Sequence, residues 1–320
     1  MEKPQLSVFV ITYNQAAFVK QTIDSILCQE TSFDYELIVA NDCSPDNTTE
    51  VVDSIITTHP KRNCIRYFEH KKNLGMYGNF MFTLNKCQGK YIAICEGDDY
   101  WTDALKLQKQ VDFLEANPEY EVCFTNIRIV DENDTITKQA LITDNRRTDY
   151  ERKHLPIWAP TLTRVFRNRD FSTLPSAPGL DTVMLLWQSQ FGKIKFLNEI
   201  TGSYRKHAGG IYSAQTEGKR KEQIILTDII SLGLIDSYLY SKYFGILLKK
   251  LVELRFIDKA LFKINKVRVK KAFEDFKNEM TWFLRLKIRF SFLLIALPFT
   301  KRVKKVEVYL LRVLNRLFIY

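Results

Sequence analysis

A chain of 320 residues that is 46% hydrophobic and 26% charged has enough apolar material for a sizeable core, which excludes a disordered or collagen-like polypeptide. Its net charge of +10 sits at one end: residues 241–320 hold 20 Lys and Arg against 6 Asp and Glu, and residues 1–240 hold 27 against 31. A basic tail on a mildly acidic body points to contact between the tail and an anionic surface, lipid or nucleic acid. The six cysteines have no paired spacing and read as reduced thiols, and the four scattered histidines offer no zinc cluster. No signal peptide is expected, and no apolar run is long enough to predict a spanning helix.

In chain order, LSVFVIT over 6–12 is a continuous apolar run, the pattern of a strand buried on both faces, broken by Tyr13-Asn14. Helical spacing over 16–28 follows. A second buried strand, 35–40, ends in Asn41-Asp42-Cys43-Ser44-Pro45-Asp46. A helix over 47–58, a strand over 65–69, a turn at Asn73-Leu74-Gly75 and a helix over 77–86 come next. The run 91–95 is a fourth strand, and it stops at Glu96-Gly97-Asp98-Asp99. A helix capped by Thr102-Asp103 then runs to Asn117-Pro118. Four strand–helix alternations predict an α/β fold with a mostly parallel sheet covered on both faces. Ligands of such sheets lie outside the carboxyl ends of the strands. Thr12-Tyr13-Asn14, Asp42 and 96–99 are therefore expected to converge.

The acidic cluster is the sharpest chemical signal. Like charges this close repel unless a cation neutralises them. Carboxylates suit hard divalent ions, which also grip phosphate oxygens. Beyond it, 121–130 reads as a strand beside the central one, and 131–160 as irregular. A strand over 162–166, a helix over 180–191 with Asp181 in its first turn, and short strands over 194–197 and 200–205 follow. They lead to the basic loop Lys206-His207-Ala208-Gly209-Gly210, and only helical patterns remain from 219 on.

The ordered motifs SVFVITYN, ELIVANDCSPDNT, GKYIAICEGDDYWTD and LDTVMLLWQSQFGKIKFLNEITGSYRKHAGG resemble those of the family 2 glycosyltransferases over about residues 5–215. The resemblance implies a GT-A (Rossmann-like) fold over 1–218, a nucleotide-sugar donor, expected to be a UDP-sugar, and a divalent metal, Mn²⁺ or Mg²⁺. It also implies transfer with inversion at the anomeric carbon. Position by position, Thr12, Tyr13 and Asn14 resemble the segment along the nucleoside. Asp42 matches the carboxylate that meets the uracil ring, with Asn41 and Cys43 departing from the usual neighbours. Asn73 stands in a segment placed near the nucleotide. Glu96, Asp98 and Asp99 occupy the DxD-type motif, with Glu96 in place of its first Asp. The implied metal ligands are Asp98, then Asp99, with His207. Arg205 and His207 resemble the motif that closes over the diphosphate, and Asp181 matches the catalytic base. Trp101 and Trp158 could meet a sugar but read more simply as core or rim, and Cys43 and Cys95 as packing. Two other readings stay open: a catalytically silent nucleotide-sugar-binding or scaffold protein, and a nucleotidyltransferase, which would carry a Gly-rich basic loop where Tyr13-Asn14-Gln15 stands.

The 219–320 region is expected to be a helical basic extension. Leu284, Ile288, Phe292, Leu293, Ile295, Ala296 and Leu297 lie among Arg285, Lys287, Arg289, Lys301, Arg302, Lys304 and Lys305. After Pro298, Val308, Leu311, Val313, Leu314, Leu317 and Phe318 stand against Arg312 and Arg316. Basic amphipathic helices of this kind bind anionic membrane surfaces. Nucleic acid is not expected, because the aromatic residues sit on the apolar faces rather than among the basic ones. The expectation is a bacterial enzyme of surface polysaccharide synthesis. It would be cytoplasmic and peripheral on the inner face of the membrane, with a glycan or lipid-linked acceptor.

Overall fold

The computed structural model of the chain describes residues 3–143, 145–210, 215–296 and 303–318, and the side chains within them except those of 303–308. Leu297, Pro298, Lys301 and Arg302, and the side chains of Lys304, Lys305 and Val308, lie outside the described residues. Two compact units form, one of Met1–Leu174 with Gln188–Ala208, the other of Pro175–Trp187 with Gly209–Tyr320.

The first unit is built on one mixed sheet. Strands β1 (Leu6–Thr12), β2 (Tyr35–Asn41), β3 (Ile65–Glu69) and β4 (Tyr91–Glu96) are parallel, in the order β3-β2-β1-β4. Helices α1 (Val19–Leu27), α2 (Thr48–Thr58) and α3 (Gly75–Leu84) make the crossovers between them. β1 is buried along nearly its whole length, as a strand covered on both faces must be. Val8, Val10, Ile23, Ile26, Leu37 and Val39 meet in one core cluster.

Beyond β4 the expected pattern changes. A two-residue strand β5 (Tyr100–Trp101) precedes α4 (Lys106–Ala116), then come β6 (Tyr120–Val130), β7 (Ile136–Lys138), β8 (Asp149–Tyr150), β9 (Val165–Arg167), α5 (Leu180–Gln188) and β10 (Lys193–Arg205). β6 does not lie beside β4. The short β9 runs antiparallel to both and fills the place between them. The two short strands expected over 194–205 are one strand, parallel to β6, with register shifts between Leu197 and Ile200 and between Ile200 and Gly202. Its far edge pairs with β5, Gly202 opposite Trp101. That pairing claims Tyr100 and Trp101 for the sheet. The helix expected from Thr102-Asp103 therefore begins four residues later, where Asp103 accepts from the Leu105 N–H at 2.9 Å.

In the second unit α6 (Glu217–Ser231), α7 (Tyr240–Ile257), α8 (Lys259–Phe276), α9 (Trp282–Ala296) and α10 (Val303–Phe318) form a helical bundle. α7 is its axis, with Phe244, Leu247, Leu248, Leu251 and Val252 buried. Asp258 caps α8 by accepting the Ala260 and Leu261 N–H groups at 2.9 Å. Lys250 on α7 pairs with Asp228 on α6 at 2.7 Å. Phe318 of α10 lies against Gly245, where a Cβ would come within 2.7 Å of the Phe318 Cβ. The apolar residues expected to face lipid are largely this bundle's interior. Leu284, Ile288, Phe292 and Ile295 are buried, as are Leu314 and Phe318, whereas Leu293 is exposed. The apolar face of a helix is drawn first to the nearest apolar partner, and α7 supplies it. Among the described residues no helix is long and apolar enough to cross a membrane.

Candidate active site

Three strand ends meet at one rim of the first unit. The Asp42 N–H at the end of β2 donates to the Thr12 carbonyl at the end of β1, 3.0 Å away, and the Gly97 N–H after β4 donates to the Ile11 carbonyl at 3.1 Å. Only a glycine allows the second approach, since a Cβ on Gly97 would stand 2.8 Å from the Thr12 Cβ. Thr22 of α1 holds the turn from below, donating to the Asp99 carbonyl at 2.7 Å with the Gly97 carbonyl 3.0 Å away. The expected convergence of Thr12, Asp42 and 96–99 is thus met through backbone bonds.

On the β1–β2 side the loops are tied to one another. Asn14, in the left-handed region at φ 56°, donates its N–H to the Ser44 hydroxyl at 3.0 Å. The Ala16 N–H donates to Asp46 at 2.9 Å, and Asp46 also accepts from the Thr48 hydroxyl at 2.6 Å. Burial pushes the Asp46 carboxyl up, but these hydrogen bonds outweigh it and hold the carboxyl below its usual range. Asp42 is buried and its Oδ1 accepts the Leu74 N–H at 2.7 Å, while Asn73 closes the same turn by accepting from the Gly75 N–H at 2.8 Å. Tyr13 is exposed beside them.

Asn41 explains its own departure from the expected carboxylate. It is fully buried, its Oδ1 accepts from the Ser44 N–H and hydroxyl, and its Nδ2 donates to Thr49 at 3.0 Å and to the Tyr67 oxygen at 3.1 Å. Thr49 spends its own proton on Glu69 at 2.8 Å, so a donor is needed opposite it. An amide supplies both donor and acceptor, and a carboxylate does not.

On the β4 side, Asp98 keeps a fifth of its side chain exposed, and its Oδ2 lies 3.0 Å from His207 Nε2. The His207 ring rests on Phe18, with centroids 4.8 Å apart. Asp99 turns inward instead, and its Oδ1 accepts the Arg205 N–H at 2.8 Å. Burial first, then the charges of Asp98 and Glu96, push its carboxyl well above the usual range. Glu96 is half-buried at the strand end and its carbonyl accepts the Asp99 N–H at 3.1 Å. Arg205 is 3% exposed. Its guanidinium donates to the Asp98 carbonyl at 3.0 Å and to Gln21, pairs with Asp134 at 2.9 Å, and lies over the Phe18 and Tyr100 rings. A guanidinium so occupied braces the acidic turn from beneath; it is not laid out to reach a diphosphate as the resemblance implies.

The residues present suit a divalent cation in part. Among the described residues no three His, Cys, Asp or Glu side chains gather as a complete metal cage. The Asp98 carboxylate and the His207 imidazole do share one spot at the rim. One or two protein ligands are what a cation held mainly by substrate phosphates needs. An imidazole beside a carboxylate favours Mn²⁺ over Mg²⁺, which prefers oxygen ligands alone. Asp181 lies in the second unit, half-buried in the first turn of α5. That turn is fixed by the Gly179 N–H, which donates to the Thr227 hydroxyl of α6 at 2.9 Å.

Trp101 is core: it is buried and its Nε1 donates to the Leu162 carbonyl at 2.7 Å. Trp158 is about half exposed. Cys95 and Cys123 are buried thiols pushed up by burial, which fits packing. Sequence reasoning missed Ser44 and Asp46 as the ties between loops. The Ser-Pro-Asp-x-Thr punctuation after β2 was the available signal, since such side chains bond nearby backbone. It also missed Gln21, Phe18 and Thr22, which carry no signal until α1 is packed beneath the turn.

Comparison with known proteins gives three findings. The model of glycosyl transferase family 2 matches residues 7–173. An uncharacterized protein of Mycobacterium tuberculosis is 31% identical over 219 residues, 68% of this chain; the match spans 63% of that relative's own length. Two solved structures share the fold. One is Staphylococcus aureus TarS 1–349 in complex with UDP-GlcNAc, with TM-score 0.62, 14% identity and coverage of 98% of this chain and 90% of that one. The other is the mannosyltransferase PcManGT of Pyrobaculum calidifontis in complex with GDP-Man and Mn²⁺, with TM-score 0.55, 13% identity and coverage of 99% and 88%.

Proposed function

The chain belongs to glycosyl transferase family 2, and on that premise we propose that it moves a sugar from a nucleoside-diphosphate donor, a UDP-sugar, to a hydroxyl of a glycan or lipid-linked glycan, with inversion. The observation that carries this reading is the rim where the ends of β1, β2 and β4 are tied together with the Asp98–His207 pair on its edge. The nucleoside lies along Thr12, Tyr13, Asn14, Asp42 and Asn73, where loops cross-braced through Ser44 and Asp46 leave little to order on binding. The bound UDP-GlcNAc of TarS supports the choice of UDP, and the GDP-Man and Mn²⁺ of PcManGT support a donor of the same kind and a metal.

Asp98 and His207 would hold a divalent cation, Mn²⁺ before Mg²⁺. When bound, such an ion stabilises negative charge gathering on the leaving diphosphate. Asp99 and Arg205 act as positioning residues: the Arg205 N–H holds the Asp99 carboxyl and its guanidinium holds the Asp98 backbone. Glu96, at the strand end, is assigned to the donor's ribose side. Asp181 is the general base. It takes the proton of the acceptor hydroxyl as that oxygen bonds to the anomeric carbon, while the bond from that carbon to the diphosphate oxygen breaks. One displacement leaves the sugar inverted, with no covalent intermediate.

The acceptor belongs to surface polysaccharide synthesis and is met at the cytosolic face of a membrane. The test is UDP release from a panel of UDP-sugars with Mn²⁺ and a glycan or lipid-linked acceptor. Asp181→Asn is expected to lower kcat at least about 100-fold while nucleotide affinity holds, the usual scale for losing a general base. Turnover that survives both Asp181→Asn and Asp98→Ala at full rate overturns the assignment.

A further inference from the structure

The helix α9 is apolar on two opposite faces. One face, with Leu284, Ile288, Phe292 and Ile295, is buried in the bundle. The other carries Trp282, Leu286, Phe290 and Leu293, spaced four, four and three apart so that they stand in one stripe. Trp282 is 71% exposed and Leu293 68%, and Leu286 and Phe290 are exposed with them. Phe283 widens the stripe at its start, and the Lys287 ammonium lies 4.7 Å from its ring centroid. Four large apolar side chains in line on a solvent face are more than scattered exposure accounts for.

The charges beside the stripe say what covers it. Arg285 and Arg289 border one edge, Lys287 the other, and α9 contains no acidic residue. Glu279, just ahead of the helix, is taken up by the Tyr240 hydroxyl at 2.7 Å. Two copies of this face set against one another would bring like charges together, which disfavours a dimer through it. A stripe of Trp, Leu and Phe flanked by Lys and Arg is the arrangement of a helix lying in a bilayer interface. There the apolar face enters the acyl boundary and the long basic side chains reach back to the headgroups.

We propose that the Trp282–Leu286–Phe290–Leu293 face of α9 is a membrane-docking surface that inserts into bilayers carrying anionic lipid. It lies opposite the buried Leu284–Ile288–Phe292–Ile295 face, and of the apolar residues expected to face lipid on this helix it contains Leu293. The proposal rests on the second unit by itself and does not depend on the donor reading.

The test is sedimentation of the full chain with phosphatidylcholine vesicles, with and without phosphatidylglycerol, at low and high salt. The wild type is expected to pellet with the anionic vesicles and to be released by salt. Arg285→Glu with Arg289→Glu is expected to weaken binding at least about tenfold. Leu286→Glu with Leu293→Glu is expected to abolish it while the melting temperature stays unchanged, because both side chains are exposed. Trp282 emission should shift blue on binding, and the shift should vanish in Trp282→Phe while binding persists. A wild type that stays in the supernatant with anionic vesicles at low salt overturns the proposal. So does unaltered vesicle binding by both double variants, or a Leu286/Leu293 variant that changes only the oligomeric state. Nucleotide binding in solution is read separately, so loss of one reading leaves the other in place.

Discussion

Lys106 is a titratable amine shut inside the core. Its side chain is wholly buried at the start of α4, with the ammonium 4.0 Å from the Trp101 ring centroid. Burial drives its pKa down to about 7, with Cys95, Cys123 and Asp103 pulling weakly the other way. The ring face offsets part of the cost of burying the charge. The unfolded lysine titrates near 10.4, so between about pH 7 and 10.4 the unfolded state holds the extra proton and stability rises with pH. Below about pH 7 the penalty is present in full. In urea unfolding, the wild type should therefore gain on Lys106→Met by about 2 kcal/mol from pH 7.5 to pH 9. Parallel pH profiles for the two proteins would contradict this. Nothing in the sequence marks Lys106, since a lysine in the first turn of an amphipathic helix reads as solvated. Asp42 and Asp98, by contrast, were legible as candidates, because polar residues that end buried strands have few structural reasons to be there, whereas His207 was singled out only by the resemblance of its motif. What Asn41 does was not legible, since it depends on where the proton of Thr49 goes.

At the scale of elements, the parallel half of the sheet could be read from alternation alone, because a βαβ crossover has one hand and long buried strands look alike. The other half could not. A strand was expected over 162–166, but β9 is only three residues long and nothing in it says that it pairs antiparallel to both β4 and β6 and separates them. The shifts in β10 between Leu197 and Gly202 split one strand into two apparent ones. The turn that ends β4 depends on close backbone approach rather than on side chains. In Gly97→Ala the new Cβ would meet Thr12 atoms at 2.8 and 2.9 Å, and the strand end has to move. The variant is expected to lose about 1–3 kcal/mol of stability, the usual cost of overpacking, and to bind nucleotide more weakly. Thermal unfolding and a nucleotide titration on the same sample check it. An unchanged melting temperature with wild-type affinity would mean the approach is not needed.

For the molecule as a whole, charge and chemistry are divided between the units. The acidic rim is in the first, and the second carries the basic excess of residues 241–320. The segment Pro175–Trp187 belongs to the helical unit although the chain before and after it belongs to the sheet, so Asp181 is anchored by α6 through Gly179 and Thr227. No local pattern in the sequence encodes that exchange, because it is decided by which core the apolar residues of α5 join. Val183, Met184 and Leu185 are all buried. The basic tail was legible as amphipathic, but the sequence could not say which of two apolar faces on α9 the bundle would cover. Whether one rim holds a nucleoside diphosphate with a divalent ion at Asp98 is decided by calorimetric titration of UDP into the full chain with and without Mn²⁺. The expected result is affinity that requires Mn²⁺ and falls at least tenfold, roughly 1.4 kcal/mol, in both Asp98→Ala and Asp42→Ala. Equal affinity in the wild type and both variants, or binding indifferent to Mn²⁺, would contradict it.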